Sequence, residues 1–243
     1  MSTVPDKQPD QIAGMFDAIA PRYDVLNRVL SAGIDRRWRR RAIQSLGLTG
    51  RELVVDVCTG TADVALEARH PSGASHPAGA GRVLGVDFAG AMLRHGLAKV
   101  RSAGETGRIG LVRGDATRLP VRDGSADAAT VAFGIRNVER PELACAEMAR
   151  VLKPGGRLAI LEFGVPRIPG ISTLYLWYFK YLLPLVGRTV SGHDAAYSYL
   201  PASVSAFPPP AEFMTILRQA GFHDVQAVPM TCGIVYLYTA RRP

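Results

Sequence analysis

The apolar positions change their period as the chain proceeds. At the start they fall at Ile12, Met15, Phe16 and Ile19, three and four residues apart, which places them on one face of a helix. Pro21 interrupts the run, and Val25, Leu26, Val29 and Leu30 resume it, so residues 12–46 read as helices. At Glu52 the pattern changes to a short β-branched run that reaches Asp56 and Val57 and then a Gly/Thr turn, the profile of a strand buried on both faces. Ala62 to Arg69 is helical, and residues 71–81 (PSGASHPAGAG) form a flexible loop.

The alternation then repeats. Arg82 to Val86 is a strand ending at Asp87, Ala91 to Ala103 a helix, and Ile109 to Arg113 a strand followed by Gly114 and Asp115. Ala126 to Phe133 is a strand, Pro141 to Leu152 a helix closed by Pro154-Gly155-Gly156, and Arg157 to Phe163 the fifth strand. Strands separated by helix-length segments predict right-handed βαβ units in a parallel sheet with helices on both faces. An aromatic-rich helical segment, residues 171–186, is followed by a Gly/Ser/Asp/Tyr stretch. A helix from Pro210 to Ala220 ends at Gly221, and two strands, Asp224 to Pro229 and Ile234 to Ala240, close the chain.

With 243 residues, 47% of them hydrophobic, the chain supports one substantial domain. Four parts are expected within it: a helical cap (12–46), a cofactor-binding core (50–165), a substrate- or lipid-facing insertion (166–209) and a closing helix with strands (210–243). Three dispersed cysteines argue against a disulfide framework and fit a reducing cytoplasm, and no metal-ligand spacing is present. The polar N-terminus does not read as a signal peptide. Net charge is +8, concentrated in the run Arg36-Arg37-Trp38-Arg39-Arg40-Arg41. A solvated helix face or one resting on lipid headgroups accounts for that run more readily than a nucleic-acid site.

The chemistry gathers at the strand ends. Gly60 and Thr61, between the first strand and its helix, let backbone amides approach a ligand closely. Asp56, Asp87 and Asp115 each end a successive strand, at the edge where open parallel sheets bind ligands. Asp87 is placed to accept both hydroxyls of a ribose, and Asp115 to accept from an adenine amino group. A nicotinamide enzyme would need the glycine-rich pyrophosphate cradle, and here one glycine is followed by Asp63, which would repel a phosphate. S-adenosylmethionine carries a sulfonium, an ammonium and no phosphate, so the acidic lining favours it.

Three segments then make the pattern specific. The stretch MFDAIAPRYD from Met15 to Asp24 with Asn27, the hexapeptide Phe133-Gly134-Ile135-Arg136-Asn137-Val138, and the stretch YSYLPASVSAFP from Tyr197 to Pro208 with Gly233-Ile234-Val235 and Tyr238 resemble the quinone-pathway C-methyltransferases of menaquinone and ubiquinone synthesis. The resemblance runs from about Met15 to Ala240. It implies a Rossmann-like class I S-adenosylmethionine-dependent methyltransferase, with a mostly parallel seven-stranded sheet, helices on both faces and an antiparallel C-terminal strand. It also implies methyl transfer to a ring carbon of 2-demethylmenaquinol, release of S-adenosylhomocysteine and no metal. A polyprenyl benzoquinol of the ubiquinone pathway is the alternative acceptor.

Carried over position by position, the family's cofactor contacts fall on Thr61, Asp87, Asp115 and Ala116. Some members have serine where Ala132 stands, and the loop at 71–81 is longer than the family's. The pair Ala62-Asp63 resembles the menaquinone branch. Arg136 suits oxyanion stabilisation because a guanidinium stays charged, and Asn137 would orient a ring oxygen or a water. Deprotonation of the phenol is open between a water held by Asp115, Tyr23, His193 and Asp194. Cys58 reads as a small packing residue. The aromatic segment suits a core or substrate-tunnel helix or one lying at a lipid interface, and it is too short to span a bilayer. The expected partners are a polyprenyl quinol and, peripherally, the cytoplasmic membrane surface, with no nucleic acid and room for a homodimer.

Overall fold

The computed structural model describes residues 8–71, 79–166, 168, 170 and 194–243. Three helices open the chain: α1 (Pro9–Ile19), α2 (Tyr23–Leu30) and α3 (Asp35–Ser45). Pro21 sits in the 3₁₀ turn Ala20–Arg22 that separates the first two, where its fixed φ suits a tight turn and not a continued helix. Then come β1 (Leu53–Val57), α4 (Asp63–Arg69), β2 (Arg82–Asp87), α5 (Gly90–Ser102), β3 (Ile109–Arg113), β4 (Ala126–Ala132), α6 (Pro141–Val151) and β5 (Leu152–Phe163). The described chain ends with α7 (Asp194–Ala206), α8 (Pro210–Gln219), β6 (His223–Met230) and β7 (Val235–Arg241).

The seven strands lie in the order β3-β2-β1-β4-β5-β7-β6. From β3 to β5 every pairing is parallel, and β7 runs antiparallel to both its neighbours, as expected of the C-terminal strand. Successive residues of a strand point to opposite faces, so the sheet supports two cores. Val55, Val57, Leu158 and Ile160 face Met148 of α6 and Phe213 and Leu217 of α8. Val54, Ala159 and Leu161 face Trp38 and Ile43 of α3, Ala65 of α4 and Val100 of α5. Burial on both faces is the reason these strands read as continuous apolar runs.

Three details differ from the sequence reading. The fifth strand begins at Leu152, five residues early, because Leu152 already pairs with Ala126 and the residues up to Gly156 bulge before Arg157 meets Ala128. Gly155, at φ 75°, makes that bulge, and its N–H donates to the carbonyl of Arg242 at 2.9 Å. Ala62 is not helical; it holds a left-handed φ of 65° as the residue before α4. The stretch after the aromatic segment contains a helix, α7, hidden from pattern reading by Pro201 inside it and by its weak apolar period. The aromatic segment itself and most of the loop at 71–81 lie outside the described residues.

Candidate functional site

The carboxyl ends of β1 to β4 and the first two helices enclose a cavity of about 220 Å³. Each strand contributes its following turn: Cys58 and Gly60 after β1, Phe88 and Ala89 after Asp87 of β2, Gly114 to Thr117 after β3, and Phe133 and Gly134 after β4. Ile12, Ala13 and Phe16 of α1 and Tyr23 of α2 form the wall on the side of the cap. Phe16 and Tyr23 meet edge-on, ring centroids 6.1 Å apart.

The turns are tight in a way that costs backbone energy. Cys58, Ala62 and Phe133 hold φ of 54°, 65° and 60°, a region few non-glycine residues occupy. Gly134 is held against Cys58 so closely that an added Cβ would lie 2.3 Å from that of Cys58. Gly60 has the opposite surroundings: φ is 54° and nothing lies within 4 Å of where a Cβ would stand, so space is open above its backbone.

Asp87 is held on the wall by two backbone amides. Its Oδ2 accepts from Gly60 N–H at 2.7 Å and its Oδ1 from Ala89 N–H at 2.9 Å. Burial pushes its pKa up against those amide bonds, with Asp17 adding to the rise. A carboxylate offers about four lone-pair sites, so two remain for a diol. Asp115 and Ala116 line the cavity too, and Oδ1 of Asp115 accepts from Thr117 N–H at 2.8 Å. Burial first, then the charges of Asp87, Asp56, Glu162 and Asp115, raise the pKa of the Cys58 thiol well above normal. The thiol therefore stays protonated and unreactive.

Asp56 and Thr61 stand behind the wall. The Asp56 carboxylate is buried, its Oδ2 accepts from Thr59 Oγ1 at 2.5 Å, and burial raises its pKa to about 7. Thr61 Oγ1 donates to Asp24 Oδ1 at 2.6 Å, and the other oxygen of Asp24 accepts from Lys99 Nζ at 2.7 Å. Lys99 also pairs with Asp63, whose second oxygen lies 3.1 Å from Arg39. Asp17 completes the attachment of the cap, accepting from Ala91 N–H at 2.7 Å in the first turn of α5. Asp17, Asp24 and Lys99 were not singled out from sequence, although both aspartates sit inside the N-terminal signature.

Asn137 reaches the cavity; Arg136 is turned away from it. The Arg136 guanidinium is buried, with Nη1 donating to Glu162 Oε1 at 2.7 Å and to the carbonyl of Phe133 at 2.6 Å. It lies over the Phe163 ring, 5.2 Å from the centroid. Glu162 is fully buried and also accepts from Arg136 N–H at 3.2 Å. An acidic residue inside the apolar run Leu158 to Phe163 was the available sign, since a buried carboxylate needs a cation. Arg136 Nε, Asn137 Oδ1 and the Tyr199 hydroxyl are buried without a hydrogen-bond partner. The packing of α7 against the turn of Ile135–Asn137 brings Tyr199 into the field of Arg136. Tyr23 hydrogen-bonds with Asn27, and burial raises its pKa, so its hydroxyl is a poor base at neutral pH. His193 lies outside the described residues.

The model of the ubiE/COQ5 methyltransferase family matches residues 3–242. The chain belongs to that family. It is 45% identical over 233 residues to the ubiquinone/menaquinone biosynthesis C-methyltransferase UbiE of Geobacter sp. strain M21, covering 96% of this chain and 97% of that one. It is 40% identical over 236 residues to the demethylmenaquinone methyltransferase of Bacteroides fragilis, covering 97% and 94%. Among solved structures, the [4+2]-cyclase SpnF superposes with a TM-score of 0.68 at 18% identity, covering 100% of this chain and 99% of that one. A possible histamine N-methyltransferase of Thermotoga maritima does so with a TM-score of 0.64 at 19% identity, covering 96% and 100%. Those two likenesses establish the fold; the family membership makes the chain a methyltransferase and sets aside the nicotinamide reading.

Proposed function

We propose that the chain transfers the methyl group of S-adenosylmethionine to a ring carbon of 2-demethylmenaquinol, giving menaquinol and S-adenosylhomocysteine, as a step of quinone biosynthesis. The carrying observation is the pair of carboxylates lining the cavity: Asp87, held by the N–H groups of Gly60 and Ala89, and Asp115, held by that of Thr117, give the wall a negative potential. That potential suits a sulfonium nucleoside, and the open space above Gly60 suits its close approach. When bound, the donor supplies an electrophilic methyl group; the ring carbon, activated by loss of the phenolic proton, forms the new bond as the carbon–sulfur bond breaks, and the hydrogen on that carbon then leaves as a proton while the phenol oxygen is reprotonated.

The chain's own residues hold the two partners. Asp87 takes the ribose hydroxyls on its free lone pairs, and Asp115 with Ala116 takes the adenine end. Asn137, with its buried and unpartnered Oδ1 on the cavity wall, orients the phenol or a water beside it. Arg136 acts from behind as fixed positive charge, its Nη1 held by Glu162. Phe16, Tyr23 and the strained turns exclude water and align ring and methyl. A long-tailed quinol places the enzyme peripherally, at the inner face of the cytoplasmic membrane.

The name of the Geobacter relative covers both quinone pathways, which favours a second reading in which a 2-methoxy-6-polyprenyl-1,4-benzoquinol is also methylated. Purified protein, radiolabelled donor and the two quinols in parallel test both readings. Label in menaquinol is expected. Label in the benzoquinol alone would reverse the assignment, and label in neither would remove it.

A further inference from the structure

The outer surface of the α2–α3 corner has no part in the cavity, yet it is unusual for a protein surface. Val25 and Val29 on α2 are 58% and 52% exposed, and Ile34 at the turn into α3 is 36% exposed. Four residues of turn join the helices, and Gly33 N–H closes the end of α2 on the carbonyl of Arg28 at 2.9 Å. Ile34 then continues in line with Arg37 and Arg41, spaced by three and seven residues along one side of α3. The opposite side of α3 buries Trp38, Ala42 and Ile43. Exposed aliphatic side chains thus run directly into exposed arginines.

The charge on this corner is one-sided. From Arg22 to Arg51 the chain carries eight arginines and two carboxylates, Asp24 and Asp35. Both carboxylates have cationic partners within the fold: Asp24 holds Lys99, and Asp35 holds Arg39. Arg28, Arg36, Arg37 and Arg41 are exposed. Aliphatic side chains among arginines, with no carboxylate opposing them, match the boundary of an anionic bilayer, where the former enter the acyl edge and the latter meet phosphates. A nucleic acid would use the arginines and leave Val25, Val29 and Ile34 in water, so the valines decide between the two.

We propose that the α2–α3 corner, through Val25, Val29, Ile34, Arg36, Arg37 and Arg41, is the face with which the protein docks on an anionic lipid surface. Its purpose rests on the quinol reading above; its binding does not. Because α2 carries Tyr23 on the cavity wall, docking through Val25 and Val29 brings the cavity's cap next to the source of a lipid-borne substrate.

The test is co-sedimentation of the full chain with vesicles of phosphatidylcholine alone or mixed with phosphatidylglycerol. Binding is expected on the mixed vesicles only, weakening with salt as exposed charges are screened. Each arginine near such a surface is worth about fivefold in partitioning, so Arg36→Gln with Arg37→Gln should weaken binding about 25-fold. Val25→Ser with Val29→Ser should weaken it as well, and both pairs should leave methylation of a short-chain, water-soluble quinol unchanged. Wild-type protein that ignores mixed vesicles, or variants that bind them as tightly as wild type, would overturn the proposal. So would serine variants that keep full vesicle binding while the arginine variants lose retention on RNA. Failure of wild type to methylate the soluble quinol would count against the catalytic reading alone, leaving the vesicle result to stand.

Discussion

Asp24 ties α2, which closes the cavity, to the turn after β1 and to α5, and this makes it an informative place to intervene. No residue before Trp38 belongs to either of the two large cores on the faces of the sheet. The cap has its own small cluster, in which Phe16, Ala20 and Tyr23 meet Ala89, Ala91 and Met92. Polar attachments of the first two helices add to it: Asp17 on α5, and Asp24 on Thr61 and Lys99. In Asp24→Ala the Thr61 hydroxyl loses its acceptor, and Lys99 keeps Asp63 and its donation to Thr61 Oγ1 at 3.2 Å. Hydrogen bonds to charged groups contribute about 1.5–3 kcal/mol each when sheltered. Asp24 and Lys99 are about one-third exposed, so the pair together should contribute about 1–2 kcal/mol.

That energy should be lost from ligand binding more than from folding, since the cap can loosen while both cores stay intact. At 1.4 kcal/mol per tenfold, S-adenosylhomocysteine affinity should fall by about 5- to 30-fold in a calorimetric titration. The melting temperature of the ligand-free protein should change little. Asp24→Asn keeps an acceptor for Thr61 and loses the charge facing Lys99, so it should lie between wild type and alanine. Affinity within twofold of wild type in Asp24→Ala would show that the cap is not what holds the ligand. A large drop in ligand-free melting temperature would show that Asp24 is part of the global fold and not a local attachment.

Gly134→Ala places a methyl group 2.3 Å from the Cys58 Cβ, and overpacking of this kind costs about 1–3 kcal/mol. Adding Cys58→Gly removes the clashing atoms and relieves the positive φ at 58, so the double variant should recover most of the lost melting temperature; a double variant no more stable than the single one would refute the contact as the cause. Asp56 has its pKa raised to about 7, so the stability it contributes is greatest when it is protonated and is lost as pH rises through that value. Between pH 6 and 8 the wild-type protein should lose about 1 kcal/mol that Asp56→Asn does not lose, measured as urea midpoints of the two proteins across that range. Parallel profiles would mean that the buried carboxylate ionises normally.

The strand-tip chemistry was legible because it is local. Asp87 and Asp115 follow apolar runs that can only be buried strands, and any open parallel sheet delivers such residues to its carboxyl edge. Gly60 was legible for the same reason: a helix begins three residues later, and its turn needs a positive φ. The closing strands were legible from period, to within a residue or two. The start of β5 was not, because Pro154-Gly155-Gly156 ends a helix as well as it bulges a strand, and only the pairing of Leu152 with Ala126 decides between them.

The roles of charged residues were the least legible part, for a physical reason. A guanidinium or carboxylate takes its role from the partner nearest in space, and the partners here come from distant parts of the chain. Arg136 looked like a free cation at a strand end until β5 placed Glu162 against it, 26 residues away. Thr61 reads from sequence as a ligand contact, and the structure adds a partner that α2 brings from 37 residues upstream, Asp24. In both cases the pair fixes a turn that the cavity needs: Glu162 holds the segment carrying Asn137, and Asp24 holds the segment carrying Gly60. The specificity of the signature segments therefore lies partly in residues that hold a turn in place, because a 1 Å misplacement of a reacting group can cost about 100-fold in rate.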